Sequence, residues 1–581
     1  MAQKSYQSHS FWGIFGRFQL LSWTMLVVVA IGVMAPLLLL LVGGFSSARL
    51  PSEMFQAGFT LDNYAAIYLD PFTYGLILNT LIYAGGSVLM GMSLSLILAY
   101  LVARTDLPYK GFFYAGILCT LAVPGMLQAM AWVMIFSPRM GMVNQFWTRV
   151  LGFDGPLFNI YSLAGMVFVE GLRLVPTSFL MLVPLMRSMD PALEEAATVA
   201  GARPKSRLRR VTLPLLAPGI LAMTIYQAMT ALEVFEVPGI LGLPANIYVL
   251  STKLYTIVRT PVNVPIYGQA NALAMIFLAL AGVTVYLYER MTRRGERFAV
   301  ITGKGYRPRE QRLGYWRYPG MALGAVYIFL ASVLPFLVFI YTSFIPYLQV
   351  PSAKAFRNLT LKNYVFLYTY STVPRTLINT VIMVVVVATA VTVLSFLISY
   401  VIVRTKFRWR RVLDQLAFVP HAIPGVIMGL AFFWIFANLH SVNLYGTIWS
   451  ICIGFTVRFL SYGTRSMNSA FLQVHKELEE AAFVSGARLH RTLKRVFLPL
   501  MLPVVTGLWT WVILHAVRIA GVPLMLYQGQ DNQVLAVLIW NMWDQGYVPS
   551  VAALGTILMA VLFLVTIWSR KVGFRRLGVK K

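Results

Sequence analysis

A charged segment that occurs twice between long apolar runs constrains this 581-residue chain more than any other feature. The first copy reads Glu194-Glu195-Ala196-Ala197-Thr198-Val199-Ala200-Gly201-Ala202-Arg203 and continues through Arg209-Arg210 to Leu213-Pro214-Leu215. The second reads Glu479-Glu480-Ala481-Ala482-Phe483-Val484-Ser485-Gly486-Ala487-Arg488 and ends in Leu498-Pro499-Leu500. From position 194 to position 479 the offset is 285 residues. Further pairs recur at an offset of 300: Asn63-Tyr64 with Asn363-Tyr364, Asn79-Thr80 with Asn379-Thr380, Tyr100 with Tyr400, Arg104-Thr105 with Arg404-Thr405, and Pro124-Gly125 with Pro424-Gly425. The drop from 300 to 285 leaves about fifteen extra residues in the first copy. They are expected in the loop from Pro138 to Asn159, which carries Gly141, Gly152, Gly155 and Pro156. The chain therefore reads as a fused pseudo-dimer.

The solvent of each half follows from composition. Hydrophobic residues make up 58% of the chain and charged ones 12%, with a mean hydropathy of +0.72. Apolar runs such as Leu20 to Val42, Val381 to Val403 and Val551 to Trp568 are long enough to cross a hydrocarbon core of roughly 30 Å as helices. The first follows Lys4 and Arg17, but its apolar core is too long for a signal peptide, so a retained helix is expected. About twelve spans are predicted, six in each half. An even number makes both halves enter the membrane in the same direction, related by an axis along its normal, with a pathway between them. The expected fold is an all-α membrane protein of about 12 transmembrane helices in two parallel pseudo-twofold repeats. Its divisions are residues 1–290, a basic linker 291–318, and residues 319–581, with the repeated loops at 188–213 and 473–498.

The formal charge of +28 would point to nucleic acid in a soluble protein. Its distribution points elsewhere. Arg290, Arg293, Arg294, Arg297, Lys304, Arg307, Arg309, Arg312 and Arg317 crowd the linker, and more basic residues fill both repeated loops and the end of the chain. The alternate loops are poor in them: Ala48 to Asp70 has only Arg49, and Gly521 to Tyr547 has no Lys or Arg. This is the positive-inside pattern, with both termini, the linker and both repeated loops cytoplasmic. No basic, aromatic-bearing domain outside the spans is left to bind nucleic acid. Cys119 and Cys452 fall singly inside spans and read as small packing residues.

Each repeated loop has the marks of a short exposed helix. Asp190 and Pro191 form a start signal, and Glu194 and Glu195 suit the positive end of the helix dipole. Ala196, Ala197 and Ala200 keep the helix slim, and Gly201 permits the turn that ends it. A basic helix is expected from about Lys205 to Leu213-Pro214. A linker that merely lies in the membrane interface explains one such loop, but not two with matched Glu, Ala-Ala, Gly and Leu-Pro.

Glu-Ala-Ala, three residues and Gly, with the Asn-Tyr, Asn-Thr, Arg-Thr and Leu-Pro motifs, resembles the membrane subunits of type I ATP-binding-cassette importers, the binding-protein-dependent permeases of bacteria. The resemblance covers roughly residues 60 to 290 and 360 to 570. It implies that Glu194, Glu195, Ala196, Ala197 and Gly201 in one half, and Glu479, Glu480, Ala481, Ala482 and Gly486 in the other, couple to cytoplasmic ATPases. It also implies two such ATPase subunits that use ATP and Mg, a substrate-binding protein on the outer face, and a place in the bacterial cytoplasmic membrane. The chain itself is expected to bind no cofactor or metal. The stretches from Pro156 to Leu163 and from Phe235 to Pro244 look like ferric-iron permeases, so iron(III) is the first choice of cargo. Permeases for 2-aminoethylphosphonate, thiamine, sulfate and polyamines share much of the pattern and stand as alternatives.

No phosphate loop, His-Glu-x-x-His, paired-Cys motif or Gly-x-Ser-x-Gly occurs, so the chain reads as a transport subunit and not an enzyme. His421, near Pro420 and Pro424, is expected to pack. Charges inside spans normally face the protein interior or an aqueous cavity. Arg173 and Arg458 match at the 285 offset, as do Glu233 and Arg518. The last two, opposite in sign, are expected to pair across the central interface as a gate in one of the two access states, while local ion pairing remains the alternative for all four. The rival reading from another class is an ion-driven secondary transporter, which has no need of two matched docking helices. A structural or export subunit is the second rival, one that would not depend on an external binding protein.

Overall fold

Lipid offers no partner for backbone polar groups, so runs this apolar are held to helix. The computed structural model describes residues 3–54, 56–187, 191–259, 266–295, 311–439 and 443–576. Most of them are helical, and among the described residues the extended pairings are two isolated bridges, Ser46 with Phe59 and Thr105 with Gln311. The first half comprises α1 (Gln3–Gly44), α2 (Pro71–Arg104), α3 (Lys110–Cys119), α4 (Gly125–Phe136), α5 (Leu163–Arg187), α6 (Pro191–Val199), α7 (Leu213–Glu233), α8 (Glu236–Leu241) and α9 (Tyr267–Gly295). The second repeats the order as α10 (Arg317–Ile328) running on into α11 (Leu334–Ser343), then α12 (Thr372–Arg404), α13 (Arg410–Phe418), α14 (Gly425–Asn438), α15 (Ile448–Gln473), α16 (Lys476–Val484), α17 (Leu498–Arg518), α18 (Gly521–Leu526) and α19 (Val548–Arg576).

Among the described residues nine helices are long and apolar enough to cross a membrane, and two bent pairs bring the number to eleven. α15 holds the place of α5 in the second half but is not among these eleven, against the twelve expected. The bent pairs are α3 with α4, turning by 94°, and α13 with α14, turning by 111°. Both break at the repeated Pro-Gly: Val123 and Ile423 are extended, the conformation favoured before proline.

Other repeated residues close loops. Asn63 donates to the carbonyls of Gly44 and Ser46, and Asn363 to those of Ser343 and Ile345. Thr80 Oγ1 accepts from Leu250 N at 3.0 Å, and Thr380 Oγ1 from Leu535 N at 2.9 Å, capping a short helix in each half. The extra residues of the first half hold a helix of their own, Met142–Arg149, pinned by buried Asn144 to the carbonyls of Phe136, Ser137 and Phe158.

Small residues let the long helices approach. Ser95 Oγ donates to Val175 O between α2 and α5, and Ser399 Oγ to Thr464 O between α12 and α15. A Cβ on Gly91 would lie 2.9 Å from the Gly171 carbonyl oxygen. Gly91→Leu is therefore expected to push α2 off α5 at about 1–3 kcal/mol, read as a lower melting temperature in detergent. Gly85→Ala, where nothing lies within 4 Å, should leave that temperature unchanged.

The expected basic helix after Gly201 takes another form. A short helix, Pro204–Arg207, passes into a π-helical turn, Leu208–Thr212, and then directly into α7. The second half does the same through Leu489–Thr492 and Leu493–Phe497. The cause is the Leu-Pro pair: proline lacks an N–H and crowds the preceding turn, and a wider π turn accommodates it without ending the helix. The Asp190 cap and linker residues 296–310 lie outside the described residues.

Candidate functional site

The two repeated helices, α6 and α16, are built alike. Each ends at a glycine with positive φ, +82° at Gly201 and +78° at Gly486. Ala202 N donates to Ala197 O and Gly201 N to Thr198 O. Ala487 N and Gly486 N donate to Ala482 O and Phe483 O in the same way. This is the glycine-terminated turn that satisfies the last helical carbonyls. Two residues before the glycine an apolar side chain stands out on each helix: Val199 is 89% exposed and Val484 90%. Ala196 and Ala481 are exposed beside them, as is Glu480, while Ala197, Ala482 and Glu195 are half-buried.

The first glutamate of each copy points the other way. Glu194 is buried and pairs with buried Arg104 at 2.6 Å, while Thr212 Oγ1 donates to it at 2.7 Å and Gln311 Nε2 at 3.3 Å. Glu479 accepts from the Tyr400 hydroxyl at 2.8 Å, with Arg404 Nε 4.0 Å away. The Arg404 guanidinium donates instead to the carbonyls of Phe471 and Val474 at the end of α15. Partial burial pushes the Glu479 carboxyl above its ordinary value, against the pull of the Tyr400 hydroxyl and Arg404. Both helices are thus clasped to the end of a long span, α2 or α12, through the Tyr and Arg that the 300-residue offset repeats. The halves differ in which of the two reaches the glutamate: Arg104 does so in the first and Tyr400 in the second, while Tyr100 donates to Gln311, just past the linker, and Gln311 in turn reaches Glu194.

A second cluster lies where the halves meet, around the breaks of the two bent spans. Arg173 makes two bonds to Glu170, at 2.8 and 2.6 Å, and its side chain packs on Gly125. Arg458 packs on Gly425, donates to Ile423 O, and pairs with Glu233 of the other half at 3.1 Å. Arg518 donates to the Leu121 carbonyl of the other half. The expected Glu233–Arg518 pair is not the one formed in this arrangement of the halves. A broken helix frees carbonyls at membrane depth, and Arg518 is occupied by one of them. Glu236 completes the cluster, accepting from Ala520 N across the halves at 2.9 Å. His421 packs, its ring stacked on Tyr226 of the first half at 5.4 Å.

Comparison with known proteins decides the family. The model described as "Binding-protein-dependent transport system inner membrane component" matches residues 91–294 and 392–578, one stretch in each half and together more than half of the chain. The chain belongs to this family. The permease is similar to the ferric transport system permease protein FbpB of Actinobacillus pleuropneumoniae, 23% identical over 81% of this chain and 67% of that protein. A putative ferric transport system permease protein of Haemophilus influenzae is 25% identical over 78% and 70%. The sulfoquinovosyl glycerol permease SmoG of Agrobacterium fabrum is 29% identical over 46% of this chain and 87% of that one. Among solved structures, a bacterial alginate transporter in complex with its periplasmic protein matches 49% of the chain at 22% identity, with a TM-score of 0.39.

Three features of the permease carried no role in its sequence. Tyr100, Arg104 and their counterparts stood only as repeated residues, and their clasp on Glu194 and Glu479 depends on folding. Glu236 has Gly521 as its counterpart, so the repeat gives no signal for it. Gln311 sits in a basic linker whose pattern reads as solvated.

Proposed function

We propose that this permease forms the membrane pathway of an importer driven by two cytoplasmic ATP-binding-cassette subunits and fed by a binding protein on the outer face. Each half, 1–290 and 319–581, supplies six spans, with both termini and the repeated loops on the cytoplasmic side. The observation that carries the reading is the pair of matched helices, each clasped inward by a glutamate and presenting an exposed valine and alanine outward. Glu195, Ala196, Ala197 and Gly201, with Glu480, Ala481, Ala482 and Gly486, form the face offered to the ATPases. Glu194 and Glu479 transmit movement of that face to the spans. ATP and Mg act on the partner subunits.

Iron(III) is the cargo that the relatives favour. The two ferric permeases align over about four-fifths of the chain and so run through both halves, whereas the sugar-derivative permease aligns over less than half. The test is reconstitution in lipid with the ATPase subunits and the binding protein. The chain alone should hydrolyse no ATP above background. The complex should hydrolyse it several-fold faster with ferric-loaded than with empty binding protein. Uptake driven by a proton or sodium gradient without ATPase would reject the reading, and stimulation only by a phosphonate- or sugar-loaded protein would reject iron.

A further inference from the structure

We infer that the charged seam between the halves is a latch that closes the pathway, with Glu233, Glu236, Arg458 and Arg518 as the groups that hold it. This inference deepens the importer reading by naming the residues that gate it. Within this cluster, three polar ties cross the seam: Glu233 to Arg458, Arg518 to the Leu121 carbonyl, and the Ala520 N–H to Glu236. All three bind the first half to the second.

The ties are not symmetric, and the asymmetry gives the seam its force. Glu170, Glu233 and Glu236 all belong to the first half; their repeat counterparts in the second are Phe455, Arg518 and Gly521. Arg173 offsets one of these acids within its own helix, so the first wall has an excess of formal negative charge. The second wall offers Arg458 and Arg518 and no acid of this cluster. Each wall completes the other, and parting them leaves charge of one sign on each side, a strong penalty away from water. A purely structural brace within one half would resemble Glu170–Arg173 instead.

The location suits a gate. Interrupted helices at membrane depth occur where they are buried in protein or line a cavity. Here both interruptions, at Pro124 and Pro424, lie against the cluster: Arg518 takes the carbonyl of one break and Arg458 that of the other. Glu170 is fully buried, yet Glu233 keeps 26% of its side chain exposed and Arg173 22%, so the seam borders open space. On the side opposite the repeated loops it is covered by α8 and α18, short helices buried along nearly their whole length.

The test needs neither ATPase nor cargo, so its failure is separable from failure of the importer reading. Cys119 precedes Leu121 by two residues and is half-buried, while Cys452 is buried and can be removed as Cys452→Ala. In that background, labelling of Cys119 by a small water-soluble methanethiosulfonate is followed on the purified chain in nanodiscs. Glu233→Gln, Arg458→Gln and Arg518→Gln should each speed labelling about tenfold while the protein stays monodisperse. The exchange Glu233→Arg with Arg458→Glu should return most of the slow rate. The double change Glu170→Gln with Arg173→Gln, which removes a pair within one half, should not speed it. Equal rates in all variants would overturn the latch. So would an exchange no slower than the single changes, or a Glu170/Arg173 variant as fast as they are.

Discussion

Valine at both Gly201 and Gly486 is expected to abolish co-purification with the ATPase subunits while leaving the chain in the membrane. The φ values near +80° lie in the left-handed region, where a side-chain Cβ meets the following carbonyl at roughly 1–2 kcal/mol per residue, more for a branched one. Nothing lies within 4 Å of a Cβ at either glycine, so the loss comes from the backbone turn and not from crowding. Two such costs together, about 2–4 kcal/mol, amount to a factor of roughly 30 to several hundred in a binding equilibrium. Asparagine tolerates the left-handed region far better, so Gly201→Asn with Gly486→Asn should retain most of the complex. A valine pair that co-purifies as well as the natural chain would remove the docking assignment.

Neutralising the two clasping glutamates is expected to give very unequal results. Glu194→Gln breaks a buried pair and strands Arg104, two of whose nitrogens already lack partners, at a cost of about 3–5 kcal/mol. The expected outcome is a clear fall in melting temperature, with ATP hydrolysis no longer linked to uptake. Glu479→Gln keeps an oxygen to accept the Tyr400 hydroxyl and loses only a 4.0 Å contact with Arg404. The sign of the Glu479 shift makes the same point. Its folded value is raised, so the ionised form is the disfavoured one. That cost is absent below the unfolded value and grows as pH rises from the unfolded to the folded value. Removing the charge should therefore leave stability at pH 7 unchanged or slightly higher. Melting curves of both variants between pH 5 and pH 8 check this. Equal losses would mean that the two clasps do equivalent work.

Much of this was legible in the chain. The apolar runs and the alternation of basic loops predicted the spans. The 285 and 300 offsets aligned the two halves, including the Pro-Gly pairs at which both bent spans turn. The paired Glu-Ala-Ala helices and their glycine ends were readable because a cap and its helix are neighbours in sequence. The form of the segment after Gly201 was not. Its basic composition predicts a separate helix, whereas the fold carries it through a π turn into the next span.

The sequence by itself determined the solvent, the twofold plan and the position of the two exposed helices, because hydropathy, repetition and helix ends are local properties of a chain. Only the tertiary structure decided which charges meet. Glu194 and Glu195 are adjacent and alike in sequence, yet one is buried on Arg104 and the other is only half-buried. Glu233 and Arg518 are related by the repeat, but Arg458 stands beside Glu233 while a freed carbonyl at Leu121 claims Arg518. Ion pairing at membrane depth acts over a few ångströms and competes with every unsatisfied carbonyl nearby. Partners at that range are set by how the broken spans turn and pack, which no spacing along the chain records.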